Sequence, residues 1–353
     1  MKPINLDHHD PRFTEATIPP VSLLALVNLA QNKGLAANHW FNGQGLSISQ
    51  LNQANTLISF RQAITIIRRA LGTLPSGAIG LQSGSRNALQ TFGMLGFVLM
   101  SCHNIREVVA LGIQHHQAAG SLMDIDVEIS SDKIILSVFE RFPEPDLLPF
   151  LSEEIFASIV TLARSLLEPS VAPLRIELSY APPDYAAAYR ELFKCPVHFN
   201  AGANRMIWDA RYMEQPLASH NPASLEAALD VCRKLLEPVG NQKEVVASVE
   251  RLLRENLRHR LGIVEIARKL NITERTLRRQ LKVAGERFSD IRDRVMEQRA
   301  RTLLSESTLS ITEIALALGF NDSRDFRRAF RRWTGHPPIS LRRLSIALDK
   351  TDN

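Results

Sequence analysis

Apolar positions recur three and four residues apart along most of the chain, and that spacing predicts helices. Val21, Leu24, Val27 and Leu29 follow Pro19-Pro20 and run out at Gly34. Proline inside the start and glycine past the end are the usual frame of a helix. Residues 59–71 repeat the pattern, with Ile64, Ile67 and Leu71 on one face, and residues 105–119 form another helical stretch. Between them, the glycines at 72, 77, 80 and 84 mark turns. Residues 92–100 are almost wholly apolar, with Gly93 and Gly96 three apart. Such spacing lets a second backbone, or a ligand, lie close to the helix.

The period then falls to two. Residues 126–129 and 133–139 alternate on either side of Ser130-Ser131-Asp132, which predicts a β-hairpin. A helix is expected over 152–167, a strand over 175–180, a short helix over 185–193, and strands at 197–199 and 206–208 around the turn 200–204. The front of the chain is therefore an α+β domain ending near Pro216, preceded by a flexible arm over 1–19. Asn221 as cap and Pro222 at the first position open a helix to about 237. Its stripe of Leu225, Leu229, Cys232 and Leu236 serves either to pack between domains or as a dimer seam. Pro238 to Gln242 is the linker.

Everything from Lys243 onward has helical periodicity, and two stretches share one frame. Glu265, Ile266, Ala267 and Leu270 match Glu313, Ile314, Ala315 and Leu318 at an offset of 48. Leu277, Arg278, Arg279 and Leu281 match Phe326, Arg327, Arg328 and Phe330 at an offset of 49, so one residue is inserted at the turn. Each copy reads as a helix-turn-helix, at about 263–284 and 311–333, and a long helix over 290–305 joins them. The second half is thus an all-α domain over 243–345, with a short tail at 346–353.

Charge sharpens this picture. From Asn241 to the end there are 24 basic and 15 acidic residues, while residues 1–240 carry 18 and 22. A basic back and an acidic front place the polyanion partner at the back. Thr273 and Asp322 are the natural caps of the two second helices. Leu277 and Leu281, and Phe326 and Phe330, hold those helices inward. Arg275, Arg278, Arg279 and Lys282, with Arg324, Arg327, Arg328 and Arg331, are left outward. A helix fits the major groove, and an arginine fork grips guanine or phosphate oxygens in two bonds. Glu274, Arg275 and Arg278, then Ser323, Arg324 and Arg327, should lie deepest. Glu274 either accepts a bond from a cytosine amine or simply favours the helix dipole. Between Arg279 and Arg328, one base contact and one phosphate contact are expected. Two motifs on one rigid helix should enter successive major-groove turns about 10 bp apart on double-stranded DNA.

At these residues the chain resembles the AraC/XylS family of bacterial transcription regulators. Gly319-Phe320, Phe326 to Phe330, Arg332-Trp333-Thr334-Gly335 and Pro338 carry the likeness, led in by Ile314-Ala315. Asp325 and Leu341 depart from the pattern: Asp325 replaces a small or aromatic residue, and Leu341 a common tyrosine. The front is similar to the nominally arabinose-binding domain of one branch, through residues 23–29, 80–84, 92–97 and 196–199. The resemblance implies an effector-binding regulatory domain over 20–216, a connecting helix and linker over 217–242, an activator role, RNA polymerase as partner, and a small-molecule effector of unknown identity. It implies no sugar-binding residues and no cofactor.

Other chemistry is poorly served. Cys102, Cys195 and Cys232 are scattered and odd in number, which argues against disulfides and zinc. An alkyl-transfer repair enzyme of related DNA-binding architecture would need four clustered cysteines and a reactive Cys-His-Arg, but Cys102-His103 is followed by Asn104. His115-His116 reads as a surface pair. No catalytic residue or metal ligand is expected. A constitutive DNA binder without an effector is the other reading, and it leaves the long front domain unexplained. With no leader at 1–20 and an apolar run at 95–100 too short to span a bilayer, a cytoplasmic, nucleoid-associated protein is expected.

Overall fold

A computed structural model describes residues 10–53, 56–86, 88–117, 119–236, 243–307 and 309–342. The chain forms two compact units. Unit 1 comprises residues 1–40 and 48–242, and unit 2 comprises 41–47 and 243–353. The proposed linker at 238–242 and the tail at 346–353 lie outside the described residues.

Unit 1 is α+β. Its helices are α1 (Val21–Asn32), α2 (Phe60–Leu71), α3 (Ile79–Gly84), α4 (Ala88–Ser101), α5 (Ile105–His115), α6 (Leu148–Leu166), α7 (Ala186–Phe193) and α8 (Pro222–Leu236). Its strands are β1 (Met123–Ile129), β2 (Lys133–Glu140), β3 (Arg175–Glu177), β4 (Val197–His198) and β5 (Asn204–Asp209). They form one sheet in the order β1-β2-β5-β3-β4, antiparallel except for the β3–β4 pair. The β1–β2 hairpin turns at Ser130, whose hydroxyl bonds Asp132 and the backbone of Lys133. Ser59 caps α2 in a reciprocal box with Gln62. Asn221 Oδ1 accepts from Ser224 N at 2.9 Å and caps α8.

Three expectations are corrected. The arm is packed from Asp10 onward: Phe13 is buried against Phe60 and Phe142, and Ile18 pairs with Ile58. Its prolines suggested looseness, but its apolar residues find a core. Gly80 and Gly84 lie within α3 rather than at turns. A Cβ at either would stand 2.6 Å or less from a carbonyl oxygen of α6, so glycine here permits two helices to cross backbone to backbone. The third strand stops at Glu177, and the side chain of Asn204 takes the backbone N–H of Ser179 just beyond it.

Unit 2 is all-α: α9 (Glu244–Glu255), α10 (Ile263–Lys269), α11 (Glu274–Val283), α12 (Phe288–Glu306), α13 (Ile311–Ala317) and α14 (Ser323–Thr334). It has two cores. One gathers Val249, Ile266, Leu277, Leu281, Ile291 and Val295; the other gathers Met296, Leu304, Ile314, Leu318, Phe326 and Phe330. α12 gives Ile291 and Val295 to the first and Met296, Ala300 and Leu304 to the second. Leu341, where the family pattern favours tyrosine, packs against the second core.

Unit 2 also contains a seven-residue strap from far upstream. Phe41, Gln44 and Leu46 are buried in it. Arg251 of α9, only 7% exposed, donates from Nε to the carbonyl of Gly45 at 3.1 Å and from Nη2 to Ser248 Oγ at 3.0 Å. Burial pulls the Arg251 guanidinium down to about 10. Gly45 abuts Leu270 and Ser248, and Gly43 faces Asn271. The strap therefore rests on α9 and on the turn of the first helix-turn-helix, although its place in the sequence assigns it to the front domain.

Candidate DNA-reading surface and interior cavity

The two helix-turn-helix motifs are copies down to their turns. Two residues past the end of α10 comes Asn271, with φ +55°, and two past the end of α13 comes Gly319, with φ +73°. The amide of Ile272 bonds the carbonyl of Ala267 at 3.0 Å, as that of Phe320 bonds Ala315 at 2.9 Å. All these positions are offset by 48. The caps are offset by 49: Thr273 Oγ1 accepts from Thr276 N at 3.2 Å, and Asp322 Oδ1 from Asp325 N at 2.8 Å. The extra residue is therefore Asn321, placed after the left-handed turn and before the cap. Glu313 and Ser310 form a capping box at the start of α13.

On α11, Leu277 and Leu281 are buried, and on α14, Phe326, Ala329 and Phe330 are. This turns the opposite faces outward. Arg275, Arg278, Arg279 and Lys282 are exposed on α11, as are Arg324, Arg327, Arg328 and Arg331 on α14. Thr273 is exposed, while Glu274, Ser323 and Asp325 are half-buried at the helix starts. All twelve residues singled out from the sequence thus fall on or at the start of these two helices.

The exposed cations are of two kinds. Arg278 is held by Glu274, one turn earlier, at 2.7 Å. Arg328 is held by Asp325 at 3.0 Å. Arg275, Arg279, Lys282, Arg324, Arg327 and Arg331 have no hydrogen bond or ion pair to another described residue. Exposed ion pairs of the first kind contribute roughly 0–1 kcal/mol to stability. Asp325, the departure from the family pattern, is thus the partner of Arg328. Arg332 lies off this face and bonds Asp293 of α12 at 3.0 Å, fastening α14 to the joining helix.

Unit 1 holds an interior cavity of about 160 Å³ among α4, α5, α6 and the β1–β2 hairpin. Leu95 and Leu99 of α4, Val109 of α5 and Val127 of β1 are among its apolar walls. A second cavity of about 90 Å³, wholly apolar, adjoins it across Val109, Val127 and Leu136. Ser22, Arg86, His116, Ser121, Glu154 and Ser158 are polar residues of the larger cavity's lining, and Ser22, Arg86 and Glu154 come together at one place on it. The Glu154 carboxylate accepts from Ser22 Oγ at 2.9 Å and Ser83 Oγ at 3.4 Å. Burial raises its pKa, against the opposing charge of Arg86 and the two hydroxyl bonds. Burial lowers the pKa of Arg86, whose Nε donates to the Ser83 carbonyl at 2.8 Å.

No effector-binding residue was assigned from the sequence, although residues 92–100, which supply Leu95 and Leu99 to the wall, were read as a helix that a ligand could approach. The available signal was Glu153-Glu154 inside the apolar run of α6. Glu153 turns away to take the hydroxyls of Tyr185 and Tyr189. The histidine pair is also corrected. His116 lines the cavity rather than the surface, with Nδ1 2.7 Å from the Ile113 carbonyl and Nε2 3.8 Å from Asp124. Cys102 is fully buried; its thiol lies 3.4 Å from the Val98 carbonyl and burial pushes it up to about 12. The Cys232 side chain lies outside the described residues. Of its proposed stripe, Leu225 and Leu229 are half-buried on α8.

Residues 34–217 match the arabinose-binding domain of AraC transcription regulator, N-terminal, and residues 266–344 match a helix-turn-helix domain. The ornithine utilization regulator of Pseudomonas aeruginosa is 28% identical over 330 residues, spanning 94% of this chain and 97% of that protein. The regulator VqsM from the same species is 30% identical over 159 residues, covering 44% of this chain and 48% of its own. Among solved structures, the transcriptional regulator CdpR from Pseudomonas aeruginosa is 24% identical, with 92% of this chain and 98% of that chain covered and a TM-score of 0.48.

Proposed function

Because the N-terminal domain of AraC transcription regulators accounts for more than half of its length, the chain belongs to that family, and we propose that it is an activator switched by a small molecule held in the cavity of unit 1. The coarser statement needs no proposal: this is a DNA-binding transcription regulator with an N-terminal ligand-binding domain, in a family of regulators rather than enzymes. No helix among its described residues is long and apolar enough to cross a membrane.

The observation that carries DNA reading by α11 and α14 is the set of exposed cations without a partner among the described residues, repeated in both motifs. Cations left unbonded on one face, above a buried apolar face, are ready to meet phosphates and base edges. Arg324 lies in the first turn of α14 and Arg278 one turn into α11, near the end by which a recognition helix enters the groove. Alanine at either position should cost about 1–3 kcal/mol at the cognate site and relax the preference there. Binding titrations against a randomised site library check this. A uniform loss across all sequences would assign the residue to phosphate instead.

The route from effector to DNA runs through α4. Leu95 and Leu99 of α4 wall the cavity, and α8 packs on α4. α8 is the last helix of unit 1 before the chain continues into α9. Filling the cavity alters the seat of α8, and so frees or reorients the reading helices or fixes a homodimer. RNA polymerase is then recruited at a surface of the bound protein.

A fragment beginning at 241 would lack the 41–47 strap, so the test uses the full chain. A metabolite that raises its melting temperature should also change its affinity for the cognate site. In Val109→Trp, whose side chain takes the place of the ligand, adding the metabolite should change neither the melting temperature nor the affinity for DNA. Retention of the DNA response in that variant, measured by fluorescence anisotropy, would overturn the route.

A further inference from the structure

The chemistry of the cavity narrows what can occupy it. Its walls are mostly aliphatic and aromatic, and Ser22, Arg86 and Glu154 form a polar group at one place on them. A ligand polar along its length would leave hydroxyls or charges facing Leu95, Leu99, Val109 and Val127 without partners, which costs more than the contact returns. The body of the ligand is therefore apolar. A dry cavity of about 150 Å³ holds benzene. The larger lobe, at about 160 Å³, has room for a ring or a chain of similar size, and the adjoining lobe of about 90 Å³ extends it.

The polar cluster decides the head group. Arg86 and Glu154 face the cavity there, while His116 lines it beside Asp124. The two Glu154 oxygens already accept the hydroxyls of Ser22 and Ser83. His116 is near Asp124, which is itself held by Arg141 at 3.1 Å. An ammonium head would have to compete with Arg86 for Glu154 and would sit beside a like charge. A carboxylate would meet the guanidinium, the pairing arginine makes best. Burial also drives Glu154 toward its neutral form; a neutral carboxyl can donate its proton to the incoming head and leaves the cluster positive.

We propose that this cavity binds a small apolar monocarboxylate, its head on Arg86 and Glu154 and its body, of about six to nine carbons, running across Val109 and Val127 toward the second lobe. This rests on the reading of the cavity as the effector site and adds the ligand class. It makes Arg86 the residue that selects charge, and the lobe beyond Val127 the feature that selects length.

The test uses the full chain and three probes of equal length: octanoate, octylamine and 1-octanol. Isothermal titration and thermal shift should show octanoate bound at least tenfold more tightly than either of the others. Arg86→Gln should bring octanoate down to the affinity of octanol. Arg86→Lys, which keeps the charge if the glutamine variant fails to fold, should retain part of the preference. Val127→Trp should move the optimum to shorter acids such as pentanoate, which adventitious binding to surface patches would not do. Tighter binding of octylamine would overturn the proposal in favour of a cation on Glu154. Equal binding of octanoate and octanol would remove the role of Arg86, and no saturable binding of any probe would overturn the site. If octanoate binds as stated but DNA affinity does not respond, the ligand class stands and the regulatory reading falls.

Discussion

Alanine at Phe326 is expected to lower the stability of unit 2 by about 3–5 kcal/mol, the usual cost of truncating a fully buried phenylalanine, and to abolish specific DNA binding. Phe326 has 0% exposure, and its ring sits 5.5 Å from that of Phe320 and 5.8 Å from that of Phe330. It is the residue that fixes α14 against α13. Without it, the helix carrying Arg324, Arg327 and Arg328 loses its fixed rotation. A loss of that size is a large part of the roughly 5–15 kcal/mol that holds a domain folded, so the second motif should melt before the rest. Urea denaturation followed by circular dichroism measures the stability, and gel mobility shift measures the binding. Phe326→Leu, which keeps most of the volume, should recover much of both. A loss below about 1 kcal/mol in the alanine variant would show that the second core can collapse around the gap.

The second large effect is expected from the strap. Gly45 has φ +61°, and a Cβ there would lie 2.6 Å from Leu270 Cδ2 and 2.8 Å from Ser248 Cβ. Leu270 can swing its end aside, but the Ser248 Cβ is fixed to α9. Gly45→Val combines about 1–2 kcal/mol for a left-handed non-glycine residue with about 1–3 kcal/mol for overpacking. Its expected cost is about 2–5 kcal/mol, read as a fall in denaturation midpoint. Gly285 provides the comparison: its φ is +77°, with open space where a Cβ would go. Gly285→Ala should cost only about 1–2 kcal/mol. The excess at Gly45 then measures how firmly the strap is seated. Because Leu270 also packs against the first reading motif, Gly45→Val should weaken DNA binding through that motif while α14 is untouched. Equal effects at the two glycines would mean that the strap bears no load.

How much was legible before the fold depended on range. The two reading helices, their caps at Thr273 and Asp322, and their arginine faces follow from residues three and four apart, where side chains on one helix meet. Even the ion pairs Glu274–Arg278 and Asp325–Arg328 have this local spacing. The inserted residue was countable from the offsets, but only the turn geometry identified it as Asn321. By contrast, Gly80 and Gly84 read as turn formers because a glycine pattern alone does not distinguish a bend from a helix crossing. Glu153 and Glu154 are neighbours with one chemistry in sequence and two in space, one taken by tyrosines and one facing a cavity.

The sequence by itself determined that this protein is a two-motif DNA reader behind an α+β front domain. Capping, 3.6-residue periodicity and duplication are properties of short windows, and they survive without knowledge of the rest. The tertiary structure decided the cavity, its polar cluster and the strap. Ser22 of α1, Arg86 just after α3 and Glu154 of α6 come together only because α3 packs against both α1 and α6. Gly45 meets Ser248 across some two hundred residues of chain. Such encounters depend on how whole elements pack, and no local pattern encodes them.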